Sequence, residues 1–326
     1  MDSTQKTNKL DILSLIGLGV VLLVTSQCII PLANPISRSI ASHSVIVMLS
    51  FFMLGGLAFL LKKPFIMLYT WMACVALCHF LKDTQHSPFY YAEAREETRQ
   101  IQIGHFDIEN KSETLVALAT IEDLNIDLVS IQTGADEELR GLLSTTLTKA
   151  YPYQLTYFSE TQSTLVFSKM KLDASDTFHC DGMPYLMSNL IIDSIAKRKL
   201  QFLSLHLPKN TSDNPELMME QLSEIGACWS ARQAKDMPLM AFCAIPMVAW
   251  SPEIRAFRNL CTLNDSRLDL ELQSNSEHIF YSNQLRCLSY EALSTGIGVV
   301  GTYQLKLPTE TVEASSIDHN SALTQR

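Results

Sequence analysis

Three apolar runs fall within the first 81 residues, and they split this 326-residue chain into two regimes. A helix needs about 20 residues to cross the hydrocarbon of a bilayer. Residues 12–30 carry no charge, and residues 45–61 are equally clean, extending back through Ile40 when His43 sits at an interface. Residues 65–81 contain His79 but also Tyr69 and Trp71, which suit a segment in a bilayer. Three transmembrane helices are expected. Lys6 and Lys9 precede the first run as in a secretory signal, yet that run exceeds the usual signal core. Pro31 and Pro35 follow it in place of a small-residue cleavage site, so the run is expected to stay uncleaved.

Basic residues in short loops set orientation. Lys6 and Lys9 flank the first run, Lys62 and Lys63 fill the turn before Pro64, and the opposite loop offers only Arg38. The N-terminus is therefore expected in the cytoplasm. After an odd number of spans, everything beyond the third lies outside it, although Lys82 also flanks that span. The remainder is less apolar, so that the whole chain is 47% hydrophobic and 18% charged, too apolar for an ordinary soluble protein and too polar for one wholly in a membrane. A net charge of -9 argues against a surface that grips phosphate backbones, so nucleic acid is not expected as a partner. Of the eight cysteines, Cys28, Cys74 and Cys78 lie in the apolar runs, and the other five show no C-x-x-C spacing. Most are expected to be small buried hydrophobes.

Residues 83–99 turn polar and read as a linker, with a short surface helix at 92–99. Residues 100–307 then interleave the two periodicities. Strands are expected at 101–106, 127–132, 153–157, 163–167, 186–195, 199–206 and 239–244, and helices at 112–125, 137–149, 215–231 and 252–260. Several successive strands lack an intervening helix, which favours a mixed α/β sandwich over a doubly wound sheet. Residues 308–326 are polar and read as a flexible tail, and residues 1–82 as the transmembrane region.

Seven phrases carry a resemblance: IQIGHFDIEN (101–110), LNIDLVSIQT (124–133), YPYQLTY (151–157), STLVFSK (163–169), FLSLHLP (202–208), MPLMAFCAIPMVAWSPE (237–253) and SEHIFYS (276–282). In this order the chain resembles the endonuclease/exonuclease/phosphatase superfamily, and in particular its membrane-anchored bacterial members. The resemblance covers residues 101–307. It implies an α+β architecture in which three N-terminal transmembrane helices precede a deoxyribonuclease I-like four-layer α/β sandwich, in a bacterial inner membrane with the domain in the periplasm.

Such enzymes hydrolyse phosphoesters with a divalent cation held by carboxylates, a base for water, and donors to the phosphoryl oxygens. Matched to the family's phrases, the metal-holding Glu falls on Thr133, the Asp and Asn of Gly-Asp-Phe-Asn on Ala244 and Pro246, and the terminal Asp-His pair on Gly298 and Val299. Asp107, His206, Glu277 and His278 remain as polar relics. The expectation is a pseudoenzyme with no catalytic residues, no metal and no cofactor, acting as an accessory or scaffold subunit beside other membrane proteins and the lipid bilayer. Two alternatives stay open: a divergent Mg2+-dependent phosphoesterase acting on a membrane-linked phosphate through Asp107, Glu277, His206 and His278, and a module that binds a phosphate-bearing ligand without turnover. Each relic also has a plainer role, His206 and the 277–278 pair as hydrogen-bonded fold residues and 107–110 as a turn.

Overall fold

The structure is a computed structural model. It describes residues 4–31, 35–85, 90–96, 98–158, 162–180, 183–193, 198–207, 215–232, 237–245, 247–268, 277–293 and 296–306. Two compact units emerge: a helical one from Met1–His86 with Met247–Ser251 and Asp269–Ser274, and a second from the rest. The expected tail at 308–326 and the candidate residue Pro246 lie outside the described residues.

The helical unit contains α1 (Thr4–Ile29), α2 (Pro35–Ser42), α3 (Ser44–Leu60) and α4 (Pro64–Gln85). α4 runs three residues past the expected end of the apolar region. By length and composition, Pro64–Thr84 is the one described helix that suffices alone to cross a membrane. The middle run is not one helix extended back through His43, because α2 and α3 meet there at 74°. The described apolar part of α1, Leu15–Ile29, is shorter.

The turn from α3 to α4 follows from its sequence. Lys62 takes φ 55°, Lys63 N–H donates to Ala58 O at 2.8 Å, and Pro64 opens the next helix where no N–H is needed. Helices α3 and α4 then approach closely at Gly55, where an added Cβ would stand 2.1 Å from Trp71 Cδ1. Val21, Cys28, Phe51, Ala73 and Leu77 form the buried centre of this unit, while Phe52, Met53, Leu57 and Leu60 on α3 and Phe65, Met72 and Val75 on α4 are exposed.

The second unit is a two-sheet sandwich. One sheet has the order β11-β12-β1-β2-β4-β3, the other β5-β6-β7-β8-β10-β9. The first comprises β1 (Gln100–Ile108), β2 (Leu128–Gly134), β3 (Tyr153–Phe158), β4 (Gln162–Ser168), β11 (Leu285–Ala292) and β12 (Gly298–Leu305). The second comprises β5 (Leu172–Cys180), β6 (Met183–Asp193), β7 (Arg198–His206), β8 (Leu239–Ala244), β9 (Leu263–Asp265) and β10 (Glu277–Ser282). Alternation decides which side chains meet. Ile101, Ile103, Leu128, Phe202, Met240, Phe242 and Ile279 fill the space between the sheets. Phe106, Val129, Ile131 and Phe167 face the other way and pack beneath α5 (Lys111–Asp123) and α6 (Glu137–Leu147) through Ala117, Ile121, Leu143 and Leu147. On the far sheet, α7 (Pro215–Arg232) and α8 (Pro252–Cys261) meet through Trp229 and Phe257, and Phe257 reaches Phe280. The layers are helices, sheet, sheet, helices.

Local chemistry accounts for the helix starts. Asn110 Oδ1 accepts from Glu113 N at α5, and Asp136 Oδ1 accepts from Glu138 N and Leu139 N at α6. The short surface helix expected at 92–99 does not form. Its backbone bonds elsewhere: Ala92 N–H donates to Cys287 O, Arg95 N–H to Gln304 Oε1, and Gln304 Nε2 to the Arg95 and Thr98 carbonyls. The strand at 172–180 has no clear alternation in its sequence, and a register shift between Cys287 and Ser289 disturbs that of β11.

Replacing Gly55 by Leu should drive a side chain into the Trp71 indole and force α3 from α4. The expected result is a drop of several degrees in the temperature at which the detergent-solubilised full chain loses monodispersity, against no change for Gly56→Leu, whose Cβ meets nothing within 4 Å.

Candidate functional site

Strand register brings the candidate positions to one end of the two sheets. In the first sheet Asp107 pairs with Gln132 and Ile108 with Thr133, while His105 pairs with Val299 and Phe106 with Gly298. In the second, His206 pairs with Ala244, and Ala244 with Glu277 on its other side. Two polar contacts join the sheets: Ser130 Oγ to Ser204 Oγ at 2.9 Å, and Gln132 Nε2 donating to Leu205 O at 2.9 Å. His105 Nδ1 lies 3.2 Å from Ser130 Oγ, extending this seam. Asp107, whose N–H donates to Ile297 O, therefore ends a strand on the seam's side, as do Ala244 and Glu277.

Each expected replacement has a physical setting. Thr133 is buried and its hydroxyl has no hydrogen-bond partner; by alternation it shares a strand face with Val129 and Ile131. Ala244 and Ile245 are buried apolar groups. Gly298 admits no side chain, because a Cβ would stand 2.6 Å from both His105 O and Phe106 Cδ1. Val299 is buried in the core between the sheets. A divalent cation needs several oxygen ligands, with carboxylates supplying the charge. Here Asp107 and Glu277 are the carboxylates at these positions, one in each sheet. Among the described residues no three His, Cys, Asp or Glu side chains group closely enough to share a metal. The donors present do not fit the metal that the resemblance implies.

His278 pairs with Cys243 and belongs to the opposite strand face from Glu277. It is buried, with Nε2 3.1 Å from Ile245 O, Nδ1 against Arg267, and its ring stacked on Phe280. Burial, then the Arg267 charge, pushes its pKa down to about 3. Beside it lies a buried ion cluster that no sequence phrase marks: Arg267 makes two contacts with the Asp265 carboxylate, at 3.1 and 3.2 Å, and Arg258 approaches it at 3.8 Å. Burial works to raise the Asp265 carboxyl, but Arg267 and Arg258 outweigh it and hold it below the ordinary range. Nor does a thiol supply a nucleophile here. Burial raises Cys243 well above its usual value and Cys261 to about 12, and a thiol reacts as its anion. Cys228 is disulfide-bonded, which the spacing of the cysteines did not reveal.

Two measurements test this description. Gly298→Ala should cost about 1–3 kcal/mol through overpacking against the His105 carbonyl, read as an equally lowered denaturation midpoint by fluorescence and circular dichroism. For His278, the unfolded chain titrates near 6.5 and the folded chain near 3. The unfolded state thus takes up the proton first, so the contribution is complete above pH 6.5 and is lost as pH falls from there toward 3. His278→Gln should flatten the fall of melting temperature between pH 6.5 and 4, and an unchanged slope would contradict the neutral buried imidazole.

Neither a family model nor a curated protein matches the sequence. Solved structures do. The human Nocturnin catalytic domain with bound sulfate aligns at 14% identity over 64% of this chain and 94% of its own, with a TM-score of 0.54. An endonuclease/exonuclease/phosphatase family protein from Bacteroides thetaiotaomicron aligns at 12% identity over 64% and 99%, TM-score 0.53. A mannosyl-6-phosphatase from Bacteroides thetaiotaomicron aligns at 12% over 64% and 100%, TM-score 0.50. Identities this low speak for architecture alone. The two-sheet, four-layer unit of this chain has the fold of the endonuclease/exonuclease/phosphatase structures.

Proposed function

We propose that this chain is a non-catalytic, phosphoesterase-like membrane protein that serves as an accessory or scaffold subunit of a membrane complex. One observation carries the reading: the strand ends that would hold a metal and a general base bear a partnerless buried hydroxyl at Thr133, the Ala244 methyl, and a Gly298 whose surroundings leave no space for a side chain. A positioned base alone contributes about 10²- to 10⁴-fold in rate, and a Lewis-acid metal several kcal/mol beyond that. Asp107 and Glu277 do not replace either.

Three spans, from α1, the α2–α3 pair and α4, anchor the domain in this reading. The large apolar side chains exposed on α3 and α4 suit lipid or partner helices better than water. The sandwich then lies outside the cytoplasm, in the periplasm if the cell is a Gram-negative bacterium. A disulfide at Cys228 suits that oxidising side.

The test uses the full chain in lipid nanodiscs with Mg2+ or Mn2+, phosphomonoesters including mannose 6-phosphate, and a phosphodiester. The expected result is no turnover above buffer, unaltered by His206→Ala, together with a particle larger than one chain and its lipid after mild extraction. Metal-dependent hydrolysis that disappears in His206→Ala would establish the divergent enzyme instead.

A further inference from the structure

The bend between α2 and α3 has no covalent cause. Sharp kinks ordinarily mark Pro or Gly, yet neither occurs between Pro35 and Gly55. Side chains hold the break instead. Ser42 Oγ donates to Ser39 O at 2.9 Å, His43 Nδ1 lies 2.7 Å from the same carbonyl, and His43 N–H donates back to Ile40 O at 3.1 Å. In an unbroken helix the Ala41 carbonyl would accept from the backbone N–H of Val45, four residues on. Here it accepts from Ser44 Oγ at 2.6 Å and from the indole Nε1–H of Trp250 at 2.9 Å.

Trp250 belongs to the short segment Met247–Ser251, which joins the helical unit although the chain reaches it from β8 and leaves it into α8. Val248, Ala249 and Trp250 are buried against Val45 and Leu81, with Met48 and Phe80 around them. In hydrocarbon an unmet carbonyl is costly, so a broken helix persists only where other groups meet its freed polar atoms. The Trp250 indole does so, and its ring is buried beside Val45 at the start of α3.

We infer that Met247–Ser251 is a latch on a switchable helix: while Trp250 is seated α2 and α3 stay bent, and its withdrawal lets them merge into one continuous helix. The latch is continuous with the strand that carries Ala244 and with the helix that carries Arg258. A shift of either element therefore reaches the helix break through five residues of chain. A partner that pulls on β8 or α8 would then change the length of the span. This latch rests on the proposed reading of the α2–α3 pair as a membrane span, and not on whether the sandwich catalyses.

Spin-labelled amino acids in place of Ile36 and Leu60, each 75% exposed, report the bend by electron–electron distance in nanodiscs. Legs of about 10 and 26 Å at the observed 74° put the two positions about 30 Å apart, against about 36 Å in a straight helix. Trp250→Ala is expected to move the distance from about 30 to about 36 Å. If that variant does not yield folded protein, Trp250→Phe, which keeps a ring but lacks the N–H, decides by the same lengthening. A distance that stays near 30 Å in every variant that folds overturns the latch, and so does a broad distribution without a 36 Å component.

Discussion

The polar seam between the two sheets is the contact on which the sandwich's functional end depends. Ser130 meets Ser204, Gln132 meets the Leu205 carbonyl, and His105 closes on Ser130, all inside an otherwise apolar core. Apolar side chains would tolerate small slips between sheets. A buried donor that loses its acceptor costs about 1–3 kcal/mol, so these few bonds hold β1 and β2 against β7 in one register. Because β8 follows β7 in parallel and β10 follows β8 in antiparallel pairing, that register also determines where Asp107, His206, Ala244 and Glu277 end up.

The same end carries small and apolar side chains beside the polar ones. Thr133 and Ala244 are buried there, and a Cβ on Gly298 would meet the His105 carbonyl and the Phe106 ring. Asp265, Arg258 and Arg267 form a buried cluster beneath α8, where the neutral His278 ring links Arg267 to the Ile245 carbonyl. Such a cluster is weak evidence for stability, since burying ions costs what their attraction returns. Its geometric effect is plainer: through His278 it holds the Ile245 carbonyl, two residues before the segment 247–251.

That segment accounts for the most unusual feature of the helical unit. Val248, Ala249 and Trp250 pack against Val45 and Leu81 of the apolar helices α3 and α4.

Much of this was legible in the sequence, because periodicity reports burial. Helices at 112–125, 137–149, 215–231 and 252–260 and the strand at 239–244 lie where their patterns put them, within a few residues. Strands whose faces are mixed, β5 and the bulged β11, were not legible, and the expected helix at 92–99 gave way to bonds with Cys287 and Gln304 far along the chain. The phrases picked out Thr133, Ala244, Pro246, Gly298 and Val299 as candidate positions, since identity is local. That Gly298 has no space for any side chain, that His278 turns away from Glu277 into a buried ion cluster, and that Trp250 meets Ala41 across 209 positions were decided only by the tertiary structure. By itself the sequence determined three apolar runs and an α/β sandwich. The register of the sandwich's strand ends, and the bend between α2 and α3, depend on contacts between residues remote in sequence, which no local pattern encodes.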